Sequence, residues 1–448
     1  MEKTDIFIIG GGPAGIVTAL TAKVNYPDKK ITLAREKENS LIPCAIPYIF
    51  YSLEKVEKDI IPDEILLKNG IELLVDRVKK IDTTNKKAIL SKGKSIGFEK
   101  LVLATGSKPT LIPISGIEKE GVWLIEKDIS YLKKFKEAVL RAKDIVIIGG
   151  GFIGVEISDE LSQKGDKNIT IVEKSEHCLS KSFDDEFAVE GEEILKQRGV
   201  NILTGVVVEK ILGKKQAEKV KLSNGKEIKA DLVILSIGAK PNIDLLEGTE
   251  IKKGDYGGIW VDEYMRTSIK DIFAVGDCAE TKDFFTGKSI PVMLASTACT
   301  EARIAGANLY ELRLLRENKG TLGSFSTKVG DLTIGISGYN EKSAKREKFD
   351  YIIGKAEVAN HHPAVLPGAK KIKLKLLFSR KSGILLGGEV SGPEAVSEMV
   401  NIISLAIQKE VDISNFDTLQ ISTHPFLTSS PTAYPLIKAA QMALSQIK

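Results

Sequence analysis

A cysteine flanked by prolines is where this sequence most plainly offers chemistry: Cys44, in the run LIPCAIPYIF. Pro47 suits the first turn of a helix, and the residues after it can continue one, which would put the thiol at a positive helix end. A cysteine so placed ionises more readily, and the thiolate is the form that attacks disulfide sulfur. A buried structural cysteine satisfies the same position equally well. Cys178, Cys278 and Cys299 make no C-x-x-C spacing with Cys44 or with one another. That pattern argues against a disulfide framework and against a zinc site, so no metal is expected.

The second chemistry on offer is phosphate binding. In GGGPAG, Gly10 permits a tight turn, Gly12 lets the backbone approach a pyrophosphate, and Gly15 lets the next helix pack on the preceding strand. Pro13 and Ala14 complete the turn. GGGFIG repeats the arrangement with Gly149, Gly151, Phe152, Ile153 and Gly154. One glycine turn is often only a turn; two copies, each between a strand and a helix, point to two dinucleotide sites. In the second copy Glu173 ends the following strand, ITIVEK. A carboxylate there accepts from a ribose 2′-hydroxyl and repels a 2′-phosphate, so NADH is expected ahead of NADPH, with Lys174 leaving room for the latter. In the first copy the matching strand is ITLAREKE, with Ala34 near the expected acid and Glu36 beyond it. Glu36 or backbone groups would meet that ribose. A redox thiol has to touch a flavin ring, and Cys44 lies just past the first copy's second strand. The N-terminal copy is then the FAD site, and the second holds the nicotinamide dinucleotide.

The elements that must position these residues can be read from apolar patterning. Asp5 to Ile9 and Asp144 to Ile148 are short β-rich runs, each followed by its glycine turn and a helical stretch, Gly15 to Lys23 in the first copy and up to about Lys164 in the second. Each copy closes with a similar strand, LVLATG at 101–106 and LVILSIG at 232–238, which marks two related domains in tandem. Ser107 to Lys143, with Pro109, Pro113 and Gly116, reads as a crossover. From Thr321 onward no glycine-rich turn recurs; Lys371 to Phe378 and Ile384 to Val390 read as strands, and Pro393 to Gln408 as a helix with proline in its first turn. A length of 448 residues fits about three domains, and 43% hydrophobic with 28% charged residues is ordinary for a globular protein. The net charge of +4, from 64 basic and 60 acidic residues, is small and well mixed, which argues against nucleic acid as a partner. No apolar run reaches spanning length and the N-terminus lacks a secretory pattern, so no membrane contact and a cytoplasmic location are expected.

GGGPAG at 10, ATGSKP at 104, GGGFIGVE at 149 and TSIKDIFAVGDC at 267–278 together resemble the FAD-dependent pyridine nucleotide-disulfide oxidoreductases, in the same order, from residue 3 to about residue 440. CAIPY at 44 is similar to the single-cysteine branch, which includes coenzyme A disulfide reductases, NADH oxidases and persulfide or polysulfide reductases. The resemblance implies that Gly276 and Asp277 hold the FAD ribityl chain, and that Gly10, Gly12, Gly15, Thr105 and Gly106 line the same cofactor. ASTA at 295–298, with Ala295, Thr297 and Ala298, is similar to the segment beneath the isoalloxazine. For the nicotinamide dinucleotide it implies Gly149, Gly151, Phe152, Ile153, Gly154, Glu156, Glu173 and Gly238. It also implies a homodimer in which the C-terminal domain of one subunit reaches the flavin site of the other. THPFLTSSPTAY at 423–434 resembles the tail that carries an acid/base histidine in two-cysteine relatives, making His424 a proton donor to a leaving thiolate and Tyr434 the alternative. Ser429 stands where those relatives have a carboxylate. His361 and His362, before Pro363, read as loop residues.

The chain also departs from parts of that branch. Pro13 and Ala14 stand where peroxidases and oxidases commonly carry a histidine, which disfavours peroxidase activity. Thr21, Val24 and Pro43 replace the Gln, Arg and Asn that serve coenzyme A. The expected fold is α/β, with two tandem Rossmann-like dinucleotide-binding domains and a C-terminal α+β dimerisation domain. FAD takes 1–114 and 246–320, NAD(H) takes 115–245, and dimerisation takes 321–448. The expected activity is NAD(P)H-driven reduction of a disulfide, persulfide or polysulfide through Cys44. An NADH oxidase cycling Cys44 through sulfenic acid to reduce dioxygen is one alternative. An electron carrier for a protein partner, with Cys44 structural, is another.

Overall fold

The run Ile6–Ile9 has a β-branched or aromatic side chain at every place and no polar face to offer water. It becomes the middle of a parallel sheet covered on both sides. A computed structural model describes residues 2–316 and 319–447 and divides into two compact units. The first unit comprises Met1–Ile112, Ile125–Glu137 and Ile237–Thr321. Its sheet runs Glu72–Val75, Ile31–Arg35, Glu2–Ile9, Ser95–Leu103, with Ile272–Ala274 also against Ser95–Leu103, all parallel. Lys87–Leu90 and Val78–Asp82 extend it as an antiparallel ladder. Helix Pro13–Asn25 packs on helix Ala295–Ala307, and the contact needs a small residue: a Cβ on Gly306 would lie 2.9 Å from the Thr18 carbonyl oxygen.

The second unit comprises Pro113–Leu124, Ala138–Ser236 and Leu322–Lys448 and, beside a small three-stranded antiparallel sheet over Val208–Leu212, Lys219–Leu222 and Glu227–Lys229, has two five-stranded sheets among the described residues. One is wholly parallel, in the order Val122–Leu124, Leu232–Leu235, Asp144–Ile148, Asn168–Val172, Asn201–Leu203. The other is wholly antiparallel, in the order Phe325–Val329, Leu332–Gly338, Leu385–Gly392, Lys371–Ser379, Tyr351–Ala359. Helices Val396–Gln408 and Pro435–Leu444 pack on it. The α/β class with two Rossmann-like sheets and a separate C-terminal α+β part is thus as expected.

Local expectations differ from the structure in three places. Ser107 to Lys143 is more than a crossover: it contains strand Val122–Leu124, an edge of the second sheet, and helix Ile129–Arg141. Pro393 does not enter the first turn of its helix; it heads the preceding turn, its carbonyl accepting from Val396 N–H at 3.0 Å, and the helix starts at Val396. Helical structure around Cys44 begins at Pro43 rather than Pro47, as a 3₁₀ segment, Pro43–Phe50. Pro47 has no N–H to continue an α-helical ladder, so the segment keeps the tighter form.

One buried charge cluster ties the start of helix Asp185–Gln197 to the antiparallel sheet of the second unit. Lys375 is 1% exposed and its ammonium meets Glu186 at 2.9 Å, Glu389 at 3.1 Å, Glu341 at 3.3 Å and, closest, Asp184. Burial pushes the Glu389 carboxyl up to about 8, outweighing the opposing Lys375 charge, with Asp184 adding repulsion. Removing the cation leaves several buried carboxylates uncompensated, so Lys375→Met is expected to cost about 3–5 kcal/mol in denaturant unfolding. Glu389 holds its proton far above its ordinary 4.5, so the stability it contributes is full at low pH and is lost as pH rises through about 8. The unfolding midpoint should fall between about pH 4.5 and 8 in the unaltered protein and level off above, and Glu389→Gln should flatten the fall.

Candidate functional site

Helix Pro13–Asn25 starts at Gly12 and helix Phe152–Ser162 at Gly151, and neither has a side-chain cap or an acidic residue in its first turn. Their leading N–H groups are therefore available to an anion. Nothing lies within 4 Å of where a Cβ would stand on Gly12 or Gly151, and both have ordinary φ values, −77° and −76°. What glycine provides there is open space over the helix start. The neighbouring glycines serve a different need. Gly10 has φ +125° and its Cβ would lie 2.0 Å from the Ala104 carbonyl oxygen; Gly149 has φ +107° and its Cβ would lie 2.6 Å from that of Ser236. A Cβ on Gly15 or Gly154 would strike the carbonyl of Gly10 or Gly149 at 1.9 or 2.0 Å. Both turns fit a pyrophosphate.

Around the first turn, Gly276 (φ +72°) presses against helix Pro13–Asn25 and helix Ala295–Ala307: its Cβ would lie 2.9 Å from that of Ala14 and 3.3 Å from that of Ala298. Asp277 accepts from Ser107 Oγ at 2.7 Å and has Lys127 Nζ at 3.6 Å. Thr105 and Gly106 are fixed by Asn242: Thr105 Oγ1 donates to its carbonyl at 2.6 Å, its N–H donates to the Gly106 carbonyl at 2.8 Å, and its side-chain amide donates to the Thr105 carbonyl at 3.2 Å. Thr297 Oγ1 lies 3.1 Å from Thr321 Oγ1. Beneath the Gly276 turn, buried Glu301 accepts from Gly276 N–H at 2.8 Å, and burial pushes its carboxyl up to about 8 against that bond. Glu36 is exposed just beyond strand Ile31–Arg35, while Arg35 turns inward to pair with Asp63 at 2.5 Å. Gly238 belongs to this unit too, with φ +98° and its carbonyl accepting from Thr110 N–H at 2.9 Å.

Around the second turn, Glu173 receives N–H groups from Gly150 and Ser175, each at 2.7 Å. Burial opposes ionisation, but these donors outweigh it and hold the carboxyl below its ordinary value, so Glu173 is an anion at neutral pH. Glu156 sits one turn into its helix and accepts from Thr327 Oγ1 at 2.9 Å; burial pushes its carboxyl up to about 7, against that bond. Phe152 stacks edge-on with Phe325 at 4.9 Å and Phe183 at 5.9 Å, walling that end of the helix, and Ile153 is half-buried beside it.

Cys44 is exposed in the first turn of Pro43–Phe50, whereas Cys178 and Cys278 are buried and Cys299 is half-buried. Burial pushes the Cys178 thiol up to about 12, aided by Glu192 and Glu173, and raises that of Cys278. In the C-terminal part His424 is exposed and its Nδ1 accepts from Phe426 N–H at 3.3 Å, leaving Nε2 to carry a proton. Tyr434 is half-buried, and burial raises its hydroxyl above the ordinary value, so it stays protonated. His362 braces this loop, with its N–H donating to the Pro425 carbonyl at 2.9 Å and Nδ1 2.9 Å from the Thr428 carbonyl. Among the described residues no three His, Cys, Asp or Glu side chains are grouped to hold a metal ion.

Sequence reasoning missed Asn242, Glu301, Thr327 and Lys127. None stands in a motif, and each acts through a partner distant in the chain.

Comparison with known proteins agrees with this geometry. Residues 4–302 match the pyridine nucleotide-disulphide oxidoreductase family and residues 324–434 its dimerisation domain. The chain is 33% identical to an NAD(P)H sulfur oxidoreductase (CoA-dependent) of Pyrococcus abyssi and 32% identical to an NADH oxidase of Methanocaldococcus jannaschii, each match covering 98% of both chains. Among solved structures it resembles an NAD-dependent persulfide reductase from A. fulgidus, with a TM-score of 0.91 and 32% identity over 99% of this chain and 83% of that one. The chain belongs to the pyridine nucleotide-disulphide oxidoreductase family and is an oxidoreductase with FAD and NAD(P)H as its cofactors.

Proposed function

We propose that the chain reduces disulfide, persulfide or polysulfide sulfur with NAD(P)H, using Cys44 as its redox thiol. The observation that carries this is the exposure of Cys44 in a turn held by the first dinucleotide unit, while Cys178 and Cys278 are sealed away. Two of the relatives named above are called a sulfur oxidoreductase and a persulfide reductase. The functional division is FAD at 1–114 with 246–320, NAD(H) at 115–245, and a homodimer built through 321–448.

In the first unit Gly10, Gly12, Pro13, Ala14, Gly15, Glu36, Thr105, Gly106, Gly276, Asp277, Ala295, Thr297 and Ala298 hold FAD. In the second, Gly149, Gly151, Phe152, Ile153, Gly154, Glu156 and Glu173 hold the nicotinamide dinucleotide, with Gly238 completing the set. Bound there, the two cofactors supply one hydride, two electrons and a proton, to the thiol chemistry. The Cys44 thiolate attacks one sulfur of the substrate, forming a new S–S bond at Cys44 and breaking the old one. The departing thiolate takes a proton from the Tyr434 hydroxyl, which burial keeps loaded, or from His424 when its ring carries a proton on both nitrogens. Glu173 meets the ribose as an anion and favours NADH over NADPH. A second reading, reduction of dioxygen through a Cys44 sulfenic acid, is favoured by the relative named NADH oxidase.

Two tests separate thiol from scaffold. Cys44→Ser is expected to keep its FAD absorbance while NADH-driven reduction of polysulfide falls at least about a hundredfold. Unchanged turnover would remove Cys44 from the mechanism, and oxygen uptake surpassing polysulfide reduction in the unaltered enzyme would favour the oxidase reading. Gly151→Val fills open space, so it is expected to raise KM for NADH by about tenfold or more without lowering the melting temperature. Gly149→Val, at φ +107° and against the Ser236 carbonyl, is expected not to fold.

A further inference from the structure

The strand that leads to Cys44 is paired with one that directly follows an unexplained acid. Ser40–Leu41 pairs with Ile60–Ile61, and Ile42 N–H donates to the Asp59 carbonyl at 3.1 Å. Asp59 ends the 3₁₀ turn Val56–Asp59 and is 0% exposed, and both its carboxyl oxygens lack a hydrogen-bond partner among the described residues. Leaving such a group buried and unpaired costs free energy, so it calls for an account.

Neighbouring charges are engaged elsewhere. Within and beside its own turn, Glu57 pairs with Lys133 at 2.5 Å and Lys58 with Glu54 at 2.8 Å. Beyond the strand, Asp63 pairs with Arg35. From helix Ile129–Arg141, Lys136 bonds the Glu54 carbonyl, and Phe135 meets Phe50 edge-on at 5.0 Å. The adjoining segment Pro43–Phe50 brings two titratable side chains, Cys44 and Tyr48, and otherwise buries Ile46, Pro47, Ile49 and Phe50. Burial pushes the Asp59 carboxyl up to about 6, with the Ile42 amide pulling weakly the other way.

Two residues of chain, at most about 7 Å, separate Ile42 from Cys44. Ala45 N–H donates to the Ile42 carbonyl at 2.9 Å, so the turn that carries the thiol is anchored on the residue that Asp59 grips. We propose that Asp59 is a positioning residue for Cys44, its buried carboxylate opposing thiolate formation across the Ile42 hydrogen bond. This rests on the reading of Cys44 as the redox thiol. An ionised Asp59 adds like charge to the place where the thiolate forms, and protonation removes it, so the two groups titrate as a pair. The thiol is thereby held protonated at neutral pH until substrate sulfur is presented.

The test is alkylation of the NADH-reduced holoenzyme by iodoacetamide under argon, from about pH 5 to 9. Mass spectrometry follows Cys44, with half-buried Cys299 as internal reference. In the unaltered enzyme the Cys44 rate profile should bend near pH 6. In Asp59→Asn the bend should vanish and the alkylation midpoint fall by on the order of one pH unit, while Asp59→Glu restores the original shape and Cys299 is unmoved. Superimposable profiles for the unaltered enzyme and Asp59→Asn would overturn the proposal. Asn also removes a charge that is unfavourable when buried, so above pH 6 the variant should melt no lower than the parent. If it does not fold, the profile of the unaltered enzyme decides alone, and a missing bend overturns the proposal. Turnover that survives complete alkylation of Cys44 would sink the underlying thiol reading instead.

Discussion

Each dinucleotide site depends on backbone N–H groups left unpaired at a helix start, and the chain keeps them open by steric means. A serine or aspartate at the cap would supply its own oxygen to those donors and compete with a phosphate. Gly12 and Gly151 remove the competitor and also the Cβ that would stand in the phosphate's place. Opening a helix so abruptly requires the strand to turn in a conformation L-residues avoid, which Gly10 and Gly149 provide. It also requires the helix to lie against the turn, which Gly15 and Gly154 allow by touching the carbonyls of Gly10 and Gly149. A strand that feeds a helix in this way needs a parallel neighbour, and both units accordingly contain parallel sheets whose central strands are apolar over Ile6–Ile9 and Ile145–Ile148.

That constraint is local, which is why it could be read in the sequence. Glycines at fixed offsets, an apolar run before them and a carboxylate ending the next strand are all short-range features, and the structure joins the second glycine turn to Glu173 through the Gly150 N–H. Features that depend on distant partners could not be read this way. Strand Val122–Leu124 is only three residues long and is defined by Leu232–Leu235, far along the chain. Nothing near Asn242 shows that it will clamp Thr105 and Gly106. The 3₁₀ form at Cys44 arises because two prolines sit four residues apart, a spacing compatible with a helix start at either one; the pairing of Ser40–Leu41 with Ile60–Ile61 selects the earlier.

Buried and half-buried glutamates divide by what compensates them, and among them only Glu156 and Glu173 had a role that the sequence suggested. Glu173 has two N–H donors and is ionised. Glu301 has one donor, from Gly276, and burial prevails. Glu156 has a hydroxyl, from Thr327, and is balanced near neutrality. Glu389 shares a single cation with three other acids and keeps its proton. Donors alone do not order the series: Glu301 with an N–H and Glu389 with a cation both reach about 8, above Glu156 with a hydroxyl, because desolvation is the largest effect on each. The series also sets Glu156 apart from Glu173: burial lifts the first carboxyl to about 7, while N–H donors keep the second ionised.

A single thiol constrains the chemistry more than a pair would. Two cysteines can store two electrons as an internal bond and release product before the next substrate arrives; one cysteine can be oxidised only by bonding to something else. With Cys44 in its proposed role, the substrate's own sulfur remains on it between half-reactions, and the exposure of Cys44 leaves room for it. A thiol that waits in that way is exposed to stray oxidants, which attack the thiolate far faster than the thiol. On the proposed reading, selectivity depends on when the proton leaves, and the control of Cys44 lies in its electrostatic surroundings, where a buried acid just before the adjoining strand carries more weight than the weak dipole of a short 3₁₀ turn.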